Sequence, residues 1–594
     1  MKFIKSSSKR KWKGWWMMKK NSILRLLKFT VPHLKIMIVA AVCVLLVNTA
    51  QLAKPYILKI VIDDFLINSK AESGLYSITA MGIFYMLAIV LGALLTFGQV
   101  NLMNYAGQQI ISKLRKQVFT HIQYLPLSYL DKFSTGRLIT RATNDVEALN
   151  EVFTDILINL FRDIFLLIGI IFVMFRMNVG LAAISFVSVP FIFLITNFFK
   201  NKIKENFKTM KSLIGQINGF FAENISGMKL VQIFNRELEK QREFKHLNDK
   251  YFKSTMFQVQ MNSLLRPIIE ILQTLTVAIL VWYGMGKIIG GTLELGVLYA
   301  FTTYIKQFFE PINDLAENYN TIQSAIVSAD RIFELLDQEE LLEDLNTGVA
   351  IERLSGDIEF QDVWFAYNEE NWILKGVSFK IAAGETAAFV GATGAGKTTI
   401  ISLISRFYKI QKGKILIDGI DINNYKLWDL RKNVAVVLQD VFLFSGDIRR
   451  NIALNDEISE LQVNEALELS CANEFIDELP GGMLEPVRER GSTFSAGQRQ
   501  LLSFARAIAH DPAILVLDEA TSNIDTNTEL LIQQSIENIS ANRTTLIIAH
   551  RLSTIRSADK IILLRKGKLV EMGNHDELFQ KGGYYKELYQ AQYT

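Results

Sequence analysis

The chain has 594 residues, of which 50% are apolar and 21% charged, with a net charge of +4. Such a length allows more than one domain, and so high an apolar share is unusual for a soluble protein. The small net charge implies no nucleic-acid partner, and two cysteines as far apart as Cys43 and Cys471 argue against a disulfide framework or a thiolate metal site.

Residues 1–30 are strongly basic, with Lys2, Lys5, Lys9, Arg10, Lys11, Lys13, Lys19 and Lys20 interrupted by Trp12, Trp15 and Trp16. No small-residue cleavage pattern follows the first apolar run. The segment therefore reads as a cytoplasmic tail with tryptophans near the lipid headgroups, and Met17 or Met18 offers an alternative start.

The apolar excess lies before residue 330, and six membrane spans are placed at 34–60, 76–105, 156–176, 179–199, 264–287 and 294–318. Each supplies the roughly 20 residues that a helix needs to cross about 30 Å of hydrocarbon. The third is the weakest, because Arg162 and Asp163 interrupt it. The links 106–155 and 200–263 are rich in Lys and Arg, which puts them, the tail and the C-terminal half on the cytoplasmic side. Both links keep helical periodicity, so the membrane helices are expected to continue into the cytosol. Breaks are expected at Leu130–Leu138, around Gly136, and at Glu223–Lys229, as short docking helices.

Charged residues at membrane depth cost free energy unless they face protein or water. Arg266 and Glu270 in the fifth span, and Lys306 and Glu310 in the sixth, share an i, i+4 spacing. Each couple either lines a solvated cavity or forms an ion pair between helices. Phe301, Tyr304, Phe308 and Phe309 add aromatic surface that suits an apolar cargo.

After a linker at 321–352, a new unit opens near Gly356, with IEFQDVWFAY as an edge strand ending at Tyr367, placed to stack on an adenine ring. Thr386–Val390 reads as a buried strand and runs into Gly391, Gly394, Gly396, Lys397 and Thr398, with Thr399 next in the following helix. This is GxxxxGK[ST]: the glycines let backbone N–H groups face phosphates, Lys397 supplies a point charge, and the Thr398 hydroxyl takes a place on Mg²⁺. Gln439 ends a later apolar strand, where it can meet Mg²⁺ or the attacking water. The apolar turn Val441–Phe444 after it fits a groove for a docking helix. Ser495, Gly497 and Gln498 open a long helix as a second anion site, suited to a nucleotide held by a partner chain. Asp518 is placed to reach Mg²⁺ and Glu519 to polarise water; Asp525 follows a short turn. His550, at the end of the apolar strand TTLIIA, is placed to bond the γ-phosphate.

Together GATGAGKT, Gln439, FSAGQRQ, ILVLDEATSNID and His550 resemble an ATP-binding cassette (ABC) exporter half-transporter from about residue 30 onward. The resemblance implies an α-helical six-span transmembrane domain with long cytoplasmic helical extensions, fused to an α/β P-loop ATP-binding cassette domain. Its parts are a tail at 1–30, a transmembrane domain at 31–320, a linker at 321–352 and a nucleotide-binding domain at 353–594. It implies ATP and Mg²⁺ as cofactors, a catalytic Glu519, a switch His550, a Q-loop Gln439 and a D-loop Asp525. It also implies a second half-transporter chain, the lipid bilayer as setting, hydrophobic or lipid cargo, and a bacterial plasma membrane.

The signature departs from the family's LSGGQ, with Phe494 for the leucine and Ala496 for the first glycine. A Cβ so near the γ-phosphate should weaken one site, whereas Glu519 and His550 keep this chain's own equipment. The resulting expectation is a non-identical partner and one competent site, with a homodimer as the alternative. Peptide export and an ATP-gated channel are the competing functions.

Overall fold

The computed structural model describes residues 22, 24–67, 77–339, 345, 347–368, 371–454, 458–518, 526–549 and 552–593. The chain divides into two compact units, one formed by 1–120 and 136–337 and the other by 121–135 and 338–594.

Six long helices build the first unit: α1 (Leu34–Ile60), α2 (Ile78–Gln123), α3 (Leu157–Met177), α4 (Ser188–Ser226), α5 (Glu237–Ile289) and α6 (Leu295–Leu336). Five helical stretches among the described residues are long and apolar enough to cross a membrane: Leu24–Ile67, Ile78–Gln123, Thr135–Met177, Val179–Ser226 and Glu237–Ile289. Of the six expected spans, five meet this criterion. The sixth segment is helical within α6, but Lys306 and Glu310 interrupt its apolar run. The helices continue well past a bilayer's thickness: at 1.5 Å per residue, the 53 residues of α5 reach about 80 Å.

Residues such as Leu94 and Phe97 on α2 are exposed although apolar, as expected of a lipid-facing helix. By contrast Phe301, Tyr304, Phe308 and Phe309 on α6 are buried among Leu166, Ile170, Ile269 and Leu280. They pack the unit's core and are not a cargo surface. Tyr304 also donates to the Leu52 carbonyl at 2.6 Å, tying α6 to α1. The outer ends of the same two helices meet through buried Asp63, which accepts the Gly296 N–H at 2.5 Å, while Lys59 reaches Glu294 at 2.7 Å. Near the cytoplasmic end, Asp145 accepts from Ser328 at 2.8 Å. Arg266 and Glu270 pair at 3.4 Å within α5 and are largely exposed, so they do not bridge two helices.

The two predicted helix breaks are present, one of them displaced. Gly227 separates α4 from the short helix Met228–Ile233. In the first link the helix is interrupted at 131–134, inside the predicted stretch, but Gly136 itself lies within the next helix, Thr135–Thr140; an earlier interruption ends at Pro126, which has no N–H to continue a helix.

The second unit has a four-stranded antiparallel sheet, order β2–β1–β4–β5, from β1 (Ile358–Ala366), β2 (Trp372–Ile381), β4 (Lys412–Ile417) and β5 (Ile420–Asp421). Strand β1 pairs on both sides, so the edge-strand expectation is corrected; its alternation reflects one packed face and one wet face. A six-stranded sheet holds β3 (Thr386–Val390), β6 (Val434–Val437), β7 (Ile514–Asp518), β8 (Thr544–Ile548), β9 (Lys560–Arg565) and β10 (Lys568–Gly573). Their order is β10–β9–β3–β8–β7–β6, with only β10 antiparallel. Two further strands, β9 and β10, follow TTLIIA.

Both faces of this sheet are covered. Ala388, Val390, Leu515, Leu517 and Ile547 point into one apolar cluster, and Ala387, Phe389, Val516, Leu546 and Ile548 into the other, as a side-chain period of two requires. Phe389 is fully buried and touches Phe379 edge to face. Phe389→Ala should cost about 3–5 kcal/mol of this unit's stability, read as a lowered thermal or denaturant midpoint of the purified chain.

Candidate functional site

Four adjacent strands, β3, β8, β7 and β6, run parallel, so their C-terminal ends share one edge of the sheet. Ligands of open α/β sheets collect at that edge. The phosphate loop leaves β3 there, Asp518 ends β7, and exposed Gln439 stands two residues beyond β6. Glu519, Asp525 and His550 lie outside the described residues.

The loop 391–396 turns directly into helix α7 (Lys397–Ile404). Gly396 has φ +105°, a left-handed conformation that a side chain disfavours, and a Cβ on Gly391 would come within 2.2 Å of the Leu564 carbonyl oxygen. Gly394, in contrast, faces open space. These constraints hold the backbone in a cradle opening at a helix N-terminus, where N–H groups and the helix dipole favour an anion. Lys397 is buried at that start and its Nζ donates to the Gly391 carbonyl. Burial lowers the pKa of its ammonium, and the nearby Asp518 carboxylate opposes that shift. Thr398 is exposed at the cradle's rim.

These residues fit a nucleotide polyphosphate. Among the described residues no cluster of His, Cys, Asp and Glu could cage a metal by itself. That suits Mg²⁺ held mainly by phosphate oxygens, with one or two protein oxygens such as those of Thr398 and Asp518.

Tyr367 is partly exposed just after β1, and its hydroxyl lies 3.3 Å from the Thr399 hydroxyl. The sequence reading missed its neighbour Tyr408, whose ring meets Tyr367 edge to face at 5.0 Å. The Tyr408 hydroxyl donates to Asp131, beside the short helix Leu127–Leu130. Burial and, next, Asp131 push its pKa above the usual 10. An aromatic pair thus links Tyr367 to the end of the short helix Leu127–Leu130. Tyr408→Phe keeps the ring and removes the bond; cargo moved per ATP hydrolysed should fall about two- to fivefold, measured by counting both in the same vesicles.

Ser495 caps helix α8 (Ala496–Ala509) in a reciprocal capping box: its Oγ accepts the Gln498 N–H at 3.2 Å, and Gln498 Oε1 accepts the Ser495 N–H at 2.9 Å. Gly497 is buried and Ala496 exposed. Farther along α8, Arg506 was also missed. It donates to the Asn451 carbonyl at 2.7 Å and the Phe442 carbonyl at 2.9 Å, while Asn451 exchanges two 2.8 Å bonds with the Phe444 backbone. A cation inside the apolar run LLSFARAIA was the available signal. This clasp braces the turn after Gln439 against α8.

The same turn borders a cleft of about 340 Å³ lined by Arg431, Lys432, Leu438, Phe442, Arg506 and His510. Phe442 and Phe444 are half exposed, whereas Leu443 is buried. Burial, aided by Lys432, holds the His510 imidazole below its usual pKa of 6.5. The unfolded chain therefore takes up this proton first as pH falls, so stability should drop as pH goes below 6.5 toward the folded value. His510→Gln should flatten that part of the curve, measured as the unfolding midpoint from pH about 7.5 to about 5.

Two family models match: the ABC transporter transmembrane region over residues 37–312 and the ABC transporter model over residues 374–522. A probable multidrug resistance ABC transporter ATP-binding/permease protein, YheH of Bacillus subtilis, is 40% identical over 85% of this chain and 75% of its own length. An ATP-dependent lipid A-core flippase of Syntrophus aciditrophicus is 36% identical over 96% of this chain and 94% of its own. The solved structure of a bacterial Atm1-family ABC exporter with ATP bound superposes with a TM-score of 0.80 at 28% identity, covering 94% of this chain and 98% of that one.

That solved exporter is a homodimeric assembly, which overturns the expectation of a non-identical partner. The expectation rested on one side chain, Ala496, which is exposed at the first turn of α8 beside an intact capping box, so the substitution is accommodated within this chain.

Proposed function

The chain belongs to the ABC transporters, and we propose that two copies of it form a homodimeric exporter that moves lipid-like or hydrophobic molecules across the bacterial plasma membrane by alternating access. It is a multi-pass membrane protein with a cytoplasmic ATPase half that couples nucleotide hydrolysis to transport of hydrophobic or lipid-like compounds. The observation that carries the proposal is the cradle at Gly391–Lys397, on the shared strand edge with Asp518 and Gln439, in the same chain as five membrane-length helices. Likeness to the lipid A-core flippase favours a lipid-like cargo.

In this reading residues 31–320 form six spans, and 353–594 bind ATP with Mg²⁺ on Thr398, Gln439 and Asp518. Tyr367 stacks on adenine; Gly391, Gly394, Gly396, Lys397 and Thr399 hold its phosphates. Ser495, Gly497 and Gln498 of the second copy close over the same nucleotide. Glu519 activates water, His550 contacts the γ-phosphate, and Asp525 lies between the copies. Arg266, Glu270, Lys306 and Glu310 face the cavity between copies.

The test is reconstitution of this chain alone in vesicles, following ATP-dependent transfer of a labelled lipid between leaflets. ATP-driven transfer against a gradient supports the exporter. Passive flow opened by ATP would replace it with a channel.

A further inference from the structure

We propose that a polar pocket within the membrane half binds an uncharged hydrogen-bond donor, a hydroxyl or carboxamide, on the head of an amphipathic cargo; this rests on the exporter reading and deepens it. The pocket encloses about 100 Å³ and is walled by Gln51 of α1, Thr96 and Gln99 of α2, and Asn159 and Arg162 of α3. All three helices lie in stretches long and apolar enough to cross a bilayer. Polar groups at such a depth find partners only in protein or in a cavity.

One acceptor in this wall has no partner among the described residues, and neither has Oδ1 of Asn48, next in sequence to the lining Val47. Gln99 is 3% exposed, and its side-chain carbonyl receives no hydrogen bond. One turn before Gln51, Asn48 gives its amide N–H to the Arg162 carbonyl at 2.9 Å, which fixes the amide's orientation and leaves its Oδ1 without a donor. Nearby hydroxyls do not help. Thr96 donates to Gly92 and Thr154 to Asn150, each within its own helix.

The unmet demand is therefore for donors. A phosphate diester or carboxylate brings acceptors only. An ammonium brings donors but also a charge that is costly at this depth, since the Asp163 carboxylate is already paired with Arg162 at 3.1 Å. A neutral hydroxyl or carboxamide satisfies both conditions. The volume takes a head of a few heavy atoms, given about 30 Å³ for one water in the liquid. A cargo's tail would lie outside it, against apolar surface such as exposed Val100.

The experiment uses the full chain in vesicles with two fluorescent probes, a monoacylglycerol and the same molecule with both hydroxyls capped as methyl ethers. The free-hydroxyl probe should show an apparent KM about tenfold lower than the capped one, and Gln99→Met should bring that ratio close to one. Equal KM values in the wild-type chain would overturn the proposal, because water alone then fills the pocket. A preference that survives Gln99→Met would overturn it too, and the wild-type comparison stands even where the variant fails to fold. Repeating the pair on a short, water-soluble chain separates the sources: preference with the long chain alone assigns a lipid, and with both a dissolved amphiphile as well. If ATP moves no amphiphile at all, the exporter reading falls and this one with it; if both probes move equally, only this one falls.

Discussion

Lys397→Ala is expected to lower ATP hydrolysis by about 10²–10³-fold, the usual cost of deleting one preorganised charge from a phosphate-transfer site. Lys397 is buried where helix α7 begins, with its Nζ donating to the Gly391 carbonyl at the mouth of the cradle. An ammonium held out of bulk water acts on a phosphate through a lower dielectric than a surface lysine would. Its lowered pKa reports the cost of keeping it there. Removing it should relieve that desolvation, so the variant should fold and lose turnover, a combination separable by measuring unfolding midpoint and ATPase together. Arginine should not rescue, because its planar fork needs more room than a cradle bounded by the Leu564 carbonyl and Ala395 provides. Retention of more than about a tenth of the activity would remove Lys397 from the site.

The phosphate loop was legible in the sequence because its chemistry is local: glycine spacing, Lys397 and the helix after it lie in one stretch, and the structure brings them together at the end of β3. Gln439 and Asp518 were readable because parallel strands of one sheet present their C-terminal ends together. Tyr408 and Arg506 were not, since their partners Asp131 and Asn451 are 277 and 55 residues away and no local pattern encodes such pairs. The aromatic run on α6 misled for a related reason. Periodicity places Phe301, Tyr304, Phe308 and Phe309 along a helix but does not say whether lipid, cargo or another helix covers them; Leu280 and Ile170 do. Likewise the break predicted around Gly136 occurs at 131–134, with Gly136 inside the helix that follows, and the earlier interruption at Pro126, where an N–H is missing, was not foreseen. Chain pairing was the least legible feature, because the expectation rested on one side chain, Ala496, set against a nucleotide of another chain, and no local pattern encodes such a contact.

Glu519→Gln in this chain expressed alone should reduce hydrolysis by about 10²–10⁴-fold while leaving ATP binding in place. The substitution keeps size and hydrogen bonding but removes the group that can accept a proton from water. The strand ahead of it, β7, is buried between β8 and β6, so the substitution should leave the sheet intact. In a homodimer the change enters both sites at once, so no unmodified site remains to sustain turnover. Two copies that bind ATP but cannot cleave it should also stay closed, which size-exclusion chromatography of the ATP-binding halves in Mg-ATP would register as a persistent dimer. The wild-type chain must be active alone for this to be measurable. Inactivity of the pure wild-type chain would refute the homodimeric reading, and full activity of Glu519→Gln would move the role of general base to another residue on the same strand edge.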